Sequence, residues 1–244
     1  MNKYFNLNFE FDKIKFKFKF EDLINSKSSS YICVIDSNVL ALSYKSEKFR
    51  NILNSSNLNT CDGSLITLIL QLIYKNKFST YTGPDIFKDY ISKSYTHLLL
   101  GNTKFTFDKV LNIAINNGAK KENIYHLDLP FNEINNFNYL DISKKINKIY
   151  PDIIWVSLGA PKQEEFMFIL QPLINKGVMV GVGAAFSFYN GDFKRSNLYI
   201  SSLNFTWIHR LFLEPKKQFI RLFKIIILLP KIIFSEYLTK HRRD

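Results

Sequence analysis

Hydrophobic and polar positions divide the chain into three stretches. In residues 3–20 they alternate, most strictly in IKFKFKF, where Ile14, Phe16, Phe18 and Phe20 fall on one side and Lys13, Lys15, Lys17 and Lys19 on the other. A period of two predicts a half-buried strand in an N-terminal β-hairpin, with the lysines as a solvated face that protects an edge. From residue 31 to 183, short apolar runs alternate with helical periodicity. YICVID (31–36) precedes a helix near 45–54, NLNTCDG (57–63) a helix over Ser64–Tyr74, and FSTYTG (78–83) a helix from Pro84. THLLLG (96–101) precedes a helix over 104–117, NIYHLDL (123–129) a helix near 139–149, and DIIWVSLG (152–159) a helix opening at Pro161; VMVGVG (178–183) closes the series. Repeated strand-then-helix units predict an α/β fold, a Rossmann-like, mostly parallel sheet with helices on both faces.

The third stretch begins near residue 194, so the chain is read as a catalytic α/β domain over 1–195 and a basic amphipathic appendage over 196–244. At about 100° per residue, Lys217, Arg221, Lys224 and Lys231 fall on one helical stripe beside a broad aliphatic face. Lys224, Pro230 and Lys231 interrupt LFKIIILLPKIIF, which argues against a span of the bilayer, and Pro230 is expected to kink the helix. A wide apolar face beside a basic stripe suits a helix lying among lipid headgroups. The alternative is that the apolar side packs on the core or on another subunit.

In parallel sheets ligands lie beyond the C-terminal strand ends. Those positions carry Asp36-Ser37-Asn38, Asp62-Gly63, Thr82-Gly83-Pro84-Asp85, Gly101-Asn102, Gly159 to Gln163 and Gly181 to Phe186. Each taken alone is read as a turn or helix cap. Together they describe a crevice of backbone amides, carboxylates and carboxamides that suits a nucleotide or a sugar phosphate.

Charge sharpens this. The 244 residues carry a formal net charge of +12, which implies an anionic partner: nucleic acid, an acidic membrane surface or a phosphorylated substrate. Nucleic acid is set aside, because the basic residues alternate with a broad aliphatic face and no reading motif occurs. Cys33 and Cys61 lack metal-ligand spacing and read as reduced core thiols of a cytosolic protein. The N-terminus lacks the continuous apolar stretch of a signal peptide, and no apolar run reaches the roughly 18 to 20 residues of a membrane span. There is no Walker loop, no Gly-x-Gly-x-x-Gly, no His-Glu-x-x-His and no Asp-x-Asp pair, so no metal and no cofactor are expected.

One set of motifs carries a resemblance. TCDG (60–63), TGPDIF (82–87), PDIIWVSLGAPKQEEF (151–166), GVGAAFSF (181–188), KR (194–195) and TWIHRLFLEPKKQFIRLFK (206–224), in that order, resemble the WecG/TagA/CpsF glycosyltransferase family. The resemblance spans about Tyr31 to Lys224. It implies an inverting, metal-independent enzyme of bacterial cell-surface polysaccharide or teichoic acid assembly. Such an enzyme moves an N-acetylmannosamine-type or related sugar from UDP to a saccharide on undecaprenyl diphosphate. Its location would be cytoplasmic and peripheral on the inner face of the membrane, with homo-oligomers possible away from it.

Residue by residue, the resemblance makes Asp62 the catalytic base. An acceptor hydroxyl, with a pKa far above neutral, needs a proton acceptor as it attacks the anomeric carbon. Capping the helix that starts at Ser64 is a compatible second role for Asp62. Asn38 matches a polar position beside the base, and Gln163 a reader of donor or acceptor hydroxyls. Thr82, Gly83, Asp85, Gly159, Gly181, Gly183 and Ala184 complete the donor and acceptor site. Lys162, Glu164 and Glu165 are read equally as first-turn solvation and charge. Arg210, Lys217 and Arg221 match basic positions that meet the diphosphate. The chain departs from the family at Thr80, where an arginine is common, at Asp36 for a threonine and at Ser187 for an aspartate. These departures leave the donor sugar open and motivate an alternative, a non-catalytic protein that binds UDP-sugar at the membrane surface.

Overall fold

The computed structural model describes residues 2–193, 199–200, 203–204 and 215–242. Lys194, Arg195 and Arg210 lie outside the described residues. Lys217 and Arg221 belong by backbone to the helix Pro215–His241, but their side chains are outside the description as well.

Strands β1 (Asn2–Tyr4) and β2 (Leu7–Phe9) form the expected antiparallel hairpin. Its two connecting residues, Phe5 and Asn6, have φ of 53° and 60°, the left-handed geometry that matches strand twist in a tight hairpin. The alternating segment that follows is not a strand. It is helix α1 (Lys13–Asn25), capped by Asp12, whose Oδ1 accepts from the N–H groups of Ile14 (2.8 Å) and Lys15 (3.1 Å). A period of two contains a period of four, and the helix uses the latter. Phe16, Phe20 and Ile24 are buried, while Ile14 and Phe18 are 68% and 65% exposed. The lysines divide accordingly: Lys13 and Lys17, one turn apart, both pair with Asp89, and Lys19 pairs with Glu10.

The central sheet has six parallel strands: β3 (Ser29–Ile35), β4 (Leu58–Cys61), β5 (His97–Leu100), β6 (Ile124–Leu127), β7 (Ile153–Val156) and β8 (Gly177–Gly181). Their order is β4-β3-β8-β7-β5-β6. Apolar runs suit such strands because both faces are covered. Tyr31, Cys33, Ile35, Ile154, Val156 and Met179 enter one core layer, and Ile32, Val34, Ile153, Trp155, Val178 and Val180 the other. Helices α2 (Ser37–Lys45), α3 (Glu47–Asn54), α4 (Ser64–Tyr74), α7 (Tyr139–Ile149) and α8 (Lys162–Leu170) cover the first face. Helices α1, α5 (Gly83–Tyr90), α6 (Lys104–Asn116) and α9 (Ala185–Tyr189) cover the second.

Two adjustments follow. The helix expected near 45–54 is present as α3, but a further helix, α2, precedes it; the two are divided at Ser46, which ends one and caps the next by accepting from Phe49 N–H at 3.2 Å. FSTYTG is not a strand. It meets the edge strand β4 through Tyr81 N–H to Cys61 O (3.0 Å) and Thr60 Oγ1 to Tyr81 O (3.3 Å), then turns into α5, too short a contact for a ladder.

The helix Pro215–His241 runs through Pro230. Its second half is fastened to the body. Ile232 is buried in the first core layer, and the buried Glu236 accepts from Phe5 N–H (2.6 Å) and Tyr74 Oη (2.7 Å). Lys240 Nζ adds a bond to Ile73 O at 3.0 Å. Phe219, Phe223, Ile226, Ile227 and Phe234 on the same helix are exposed.

Helical geometry in α1 separates two phenylalanines that strand geometry would make equivalent. Phe16→Ala is expected to cost about 3–5 kcal/mol in denaturant unfolding, and Phe18→Ala less than about 0.5 kcal/mol. Equal losses would restore the strand reading.

Candidate active site

Parallel strands put all the C-terminal ends on one edge, and the turns there are bonded to one another. Asp62 follows β4 and its N–H donates to Ile35 O of β3 at 2.9 Å, so the half-buried Asp62 is held at the mouth of both strands. Gly63, not Asp62, is the N-cap position of α4. A Cβ at Gly63 would lie 3.6 Å from Ser37 Oγ, so the first turns of α2 and α4 adjoin beside Asp62. Asp36 caps α2 by accepting from Val39 N–H at 2.8 Å. Asn38, in the first turn of α2, is buried.

On the other side of β3, the turn after β8 is clamped at Gly183. Its N–H donates to Gln163 Oε1 (3.1 Å), and its carbonyl accepts from Ser157 Oγ (2.6 Å), which in turn accepts from Asn102 Nδ2 (2.7 Å). Gly183 has φ of +53°, which favours glycine. At Gly181 space decides instead. A Cβ there would meet Met167 Cε at 2.9 Å and Gln163 Nε2 at 3.1 Å, so the absence of a side chain lets α8 close on β8.

Gln163 is therefore mostly engaged within the protein. It is buried, and its Nε2 donates to Glu164 Oε1 at 2.8 Å. What remains for a ligand is one Nε2 hydrogen and one Oε1 lone pair. Gly159 O accepts from Gln163 N–H at 3.0 Å, Pro161 is the N-cap position of α8, and Ala184 is that of α9. Thr82 caps α5, accepting from Asp85 N–H (3.3 Å) and donating to Asp85 Oδ2 (2.6 Å). Gly83 lies so close to Val182 that a Cβ would stand 3.1 Å from its carbonyl oxygen. The structure thus brings together, on one edge, Asn38, Asp62, Thr82, Gly83, Asp85, Gly159, Gln163, Gly181, Gly183 and Ala184. The side chains of Arg210, Lys217 and Arg221 lie outside the described residues.

Two residues of this edge escape a reading of the sequence. Ser157 has the look of the end of an apolar strand, and its acceptor lies 26 residues further on. Glu164 has the look of first-turn surface charge, yet it is fully buried. A signal exists: Gln163, Phe166, Met167 and Leu170 share one helical face, which turns the start of α8 inward. Of the histidines, His97 starts β5 at the opposite edge. Burial pushes it down to about 4, and its Nδ1 accepts from Trp155 Nε1 at 3.2 Å. Among the described residues no three His, Cys, Asp or Glu side chains gather as a ligand set.

The sequence profile of the Glycosyl transferase WecG/TagA/CpsF family matches residues 5–243. The chain belongs to that family. It is 25% identical over 200 residues to the N-acetylglucosaminyldiphosphoundecaprenol N-acetyl-beta-D-mannosaminyltransferase of Bacillus subtilis (strain 168), covering 79% of this chain and 75% of that one. It is 24% identical over 208 residues to the enzyme of the same description from Bacillus spizizenii, covering 80% and 73%. A shorter match to the Staphylococcus aureus (strain NCTC 8325) enzyme is 33% identical over 84 residues, 32% of this chain and 33% of that one. Family membership places the chain among the glycosyltransferases.

The acid beside Gln163 is held away from the ordinary carboxylate range. Burial pushes Glu164 up to about 8; the Gln163 hydrogen bond works against that, while the nearby Asp36 and Glu165 carboxylates add to it. The folded state therefore holds a proton that the unfolded chain, titrating near the ordinary 4.5, has lost. Stability from this group is present below about 4.5 and lost as pH rises toward about 8. Glu164→Gln should match the wild type in thermal unfolding at pH 5 and exceed it by several degrees at pH 8.5. A difference independent of pH would show that Glu164 ionises normally.

Proposed function

We propose that this glycosyltransferase moves a sugar of the N-acetylmannosamine type, or a related hexose, from a UDP-sugar to a saccharide carried on undecaprenyl diphosphate, in the synthesis of a bacterial cell-surface polymer. The acceptor hydroxyl attacks the anomeric carbon from the face opposite UDP, and Asp62 takes its proton. The anomeric C–O bond breaks as the new one forms, UDP leaves with the electron pair, and the configuration inverts. The observation that carries this reading is the position of Asp62. It is fixed by Ile35 O on the same edge as the clamped Gly183 turn, two strand spacings, or about 10 Å, from β8. That separation leaves room for one sugar ring between a base and a diphosphate. The family match and the acceptor for which the relatives are named, an N-acetylglucosaminyl diphosphoundecaprenol, support the lipid-linked substrate.

The proposed chemistry uses no metal ion. Developing charge on UDP is neutralised instead by Arg210, Lys217 and Arg221, in keeping with the net charge of +12. Among the described residues no helix is long and apolar enough to cross a membrane. The exposed Phe223, Ile226, Ile227 and Phe234 form the face that we assign to the lipid interface, so that the enzyme works peripherally on the membrane that holds its acceptor. The helix bearing them is also part of the body, since Ile232 and Glu236 are buried. Deleting everything after residue 195 would uncover core surface, so point substitutions probe the tail more cleanly.

Asp62→Asn should keep the fold and UDP binding yet lower transfer to a lipid-diphosphate saccharide by at least about a hundredfold. Near-normal transfer would remove Asp62 as the base. UDP release from the UDP-sugar only when the lipid acceptor is present would exclude the non-catalytic, UDP-sugar-binding alternative, and no UDP release under either condition would favour it. Separately, Phe223→Ser with Ile227→Ser, at positions 67% and 58% exposed, should weaken binding to anionic vesicles by about tenfold or more. The thermal midpoint should stay within about a degree. Unchanged vesicle binding would assign the face to some other contact.

A further inference from the structure

Glu164 is the most deeply buried acid of the candidate site, and among the described residues no cation pairs with it. Its Oε1 accepts from Gln163 Nε2 at 2.8 Å, and its Oε2 has no hydrogen-bond partner among the described residues. Full burial denies it a solvated role in the first turn of α8, and a hydrophobic side chain of similar volume would fill the space without the cost of removing a carboxyl from water. What the carboxyl alone supplies is an acceptor for the Gln163 amide group. That matters because the other end of the same carboxamide accepts from the Gly183 N–H at 3.1 Å. Gly183 requires an oxygen at its end of Gln163, and Glu164 accepts from a nitrogen at the other. The two contacts together allow one orientation of the carboxamide.

Without Glu164 the Gln163 NH2 would be buried and unpaired, at a cost that favours rotation or withdrawal of the side chain. The Gly183 N–H would then lose its acceptor. Its carbonyl would still be held by Ser157, so the turn would be loosened on one side only. We propose that Glu164 is a positioning residue: through Gln163 it fixes the Gly183 peptide, and so sets the shape of the backbone turn after β8 against which the nucleotide donor binds. The hydrogen-bond relay stands on the structure, and its consequence for donor binding rests on the function proposed above.

The chain has nine glycines, so a uniformly folded sample labelled with 15N-glycine gives a sparse spectrum in which Gly183 can be followed. In full-length Glu164→Leu the Gly183 amide resonance should move and its hydrogen exchange quicken. The resonances of Gly118 and Gly191, where a Cβ would meet nothing within 4 Å, should stay in place. Affinity for UDP, read by calorimetry, should fall by about tenfold. Glu164→Gln keeps a neutral acceptor at Oε1 and should restore both the resonance and the affinity. An unmoved Gly183 resonance in a folded Glu164→Leu protein, or a Glu164→Gln protein as damaged as Glu164→Leu, overturns the proposal. If Glu164→Leu does not fold, Gln163→Leu removes the same link from its other end, and an unmoved resonance there overturns the proposal equally. If UDP binds to none of these proteins, the wild type included, the donor assignment fails, and the resonance still decides whether Glu164 positions the turn.

Discussion

The site depends on one residue, Gly183, held through both of the peptide units that flank it. Its N–H is taken by Gln163 and its C=O by Ser157, at 3.1 and 2.6 Å. These two holders come from different places, the first turn of α8 and the residue just after β7, so the turn after β8 is located by its neighbours rather than by its own sequence. The arrangement works only because α8 lies against β8 without a side chain between them at Gly181. From that contact the rest of the edge follows. β8 sits beside β3, β3 beside β4, and the Asp62 N–H on Ile35 O ties the far end of the series to the middle of the sheet.

Much of the fold is legible in the sequence because its signals are local. The apolar runs of β3, β5, β7 and β8 need only burial on two faces, and α4 and α7 begin and end where their periodicity does. The edge of glycines, aspartates and amides is legible for the same reason, since turns at strand ends have a restricted chemistry. The failures arise where two periods share a pattern or where a partner is distant. Phe16, Phe20 and Ile24 satisfy a helix as well as Phe16, Phe18 and Phe20 satisfy a strand, and only the core that receives them decides. Asp12 is the available local cue, a cap placed just before the lysines. Ser157 and Glu164 carry no such cue, because Ser157 matters through its bond to Gly183 in another element, and Glu164 through the bond that its neighbour Gln163 makes to the same glycine.

The tail shows how one segment answers to two environments. As a sequence, it offers either lipid or core as the destination of its apolar side. The structure sends only part of that side to the core. Ile232 goes to the core, and Phe223, Ile226 and Ile227 remain exposed. A basic amphipathic helix usually gains its order from the surface it binds. Here part of that order is supplied by the body of the protein, so that, under the membrane role proposed above, less entropy would be lost on contact.

Glu236 ties the two ends of the chain together, since its carboxylate receives both the Phe5 N–H, 231 residues earlier, and the Tyr74 hydroxyl. This has a bearing on the order of assembly. As the chain is synthesised from its N-terminus, β1, β2 and the whole parallel sheet emerge before the acceptor for the Phe5 amide exists. β1 and β2 can pair with each other at once, but the Phe5 amide gains its acceptor within the protein only when the tail arrives. Closure of the body around the Phe5 amide therefore depends on the last helix described, so that a partly made chain lacks the contact by which Glu236 joins the hairpin to α4.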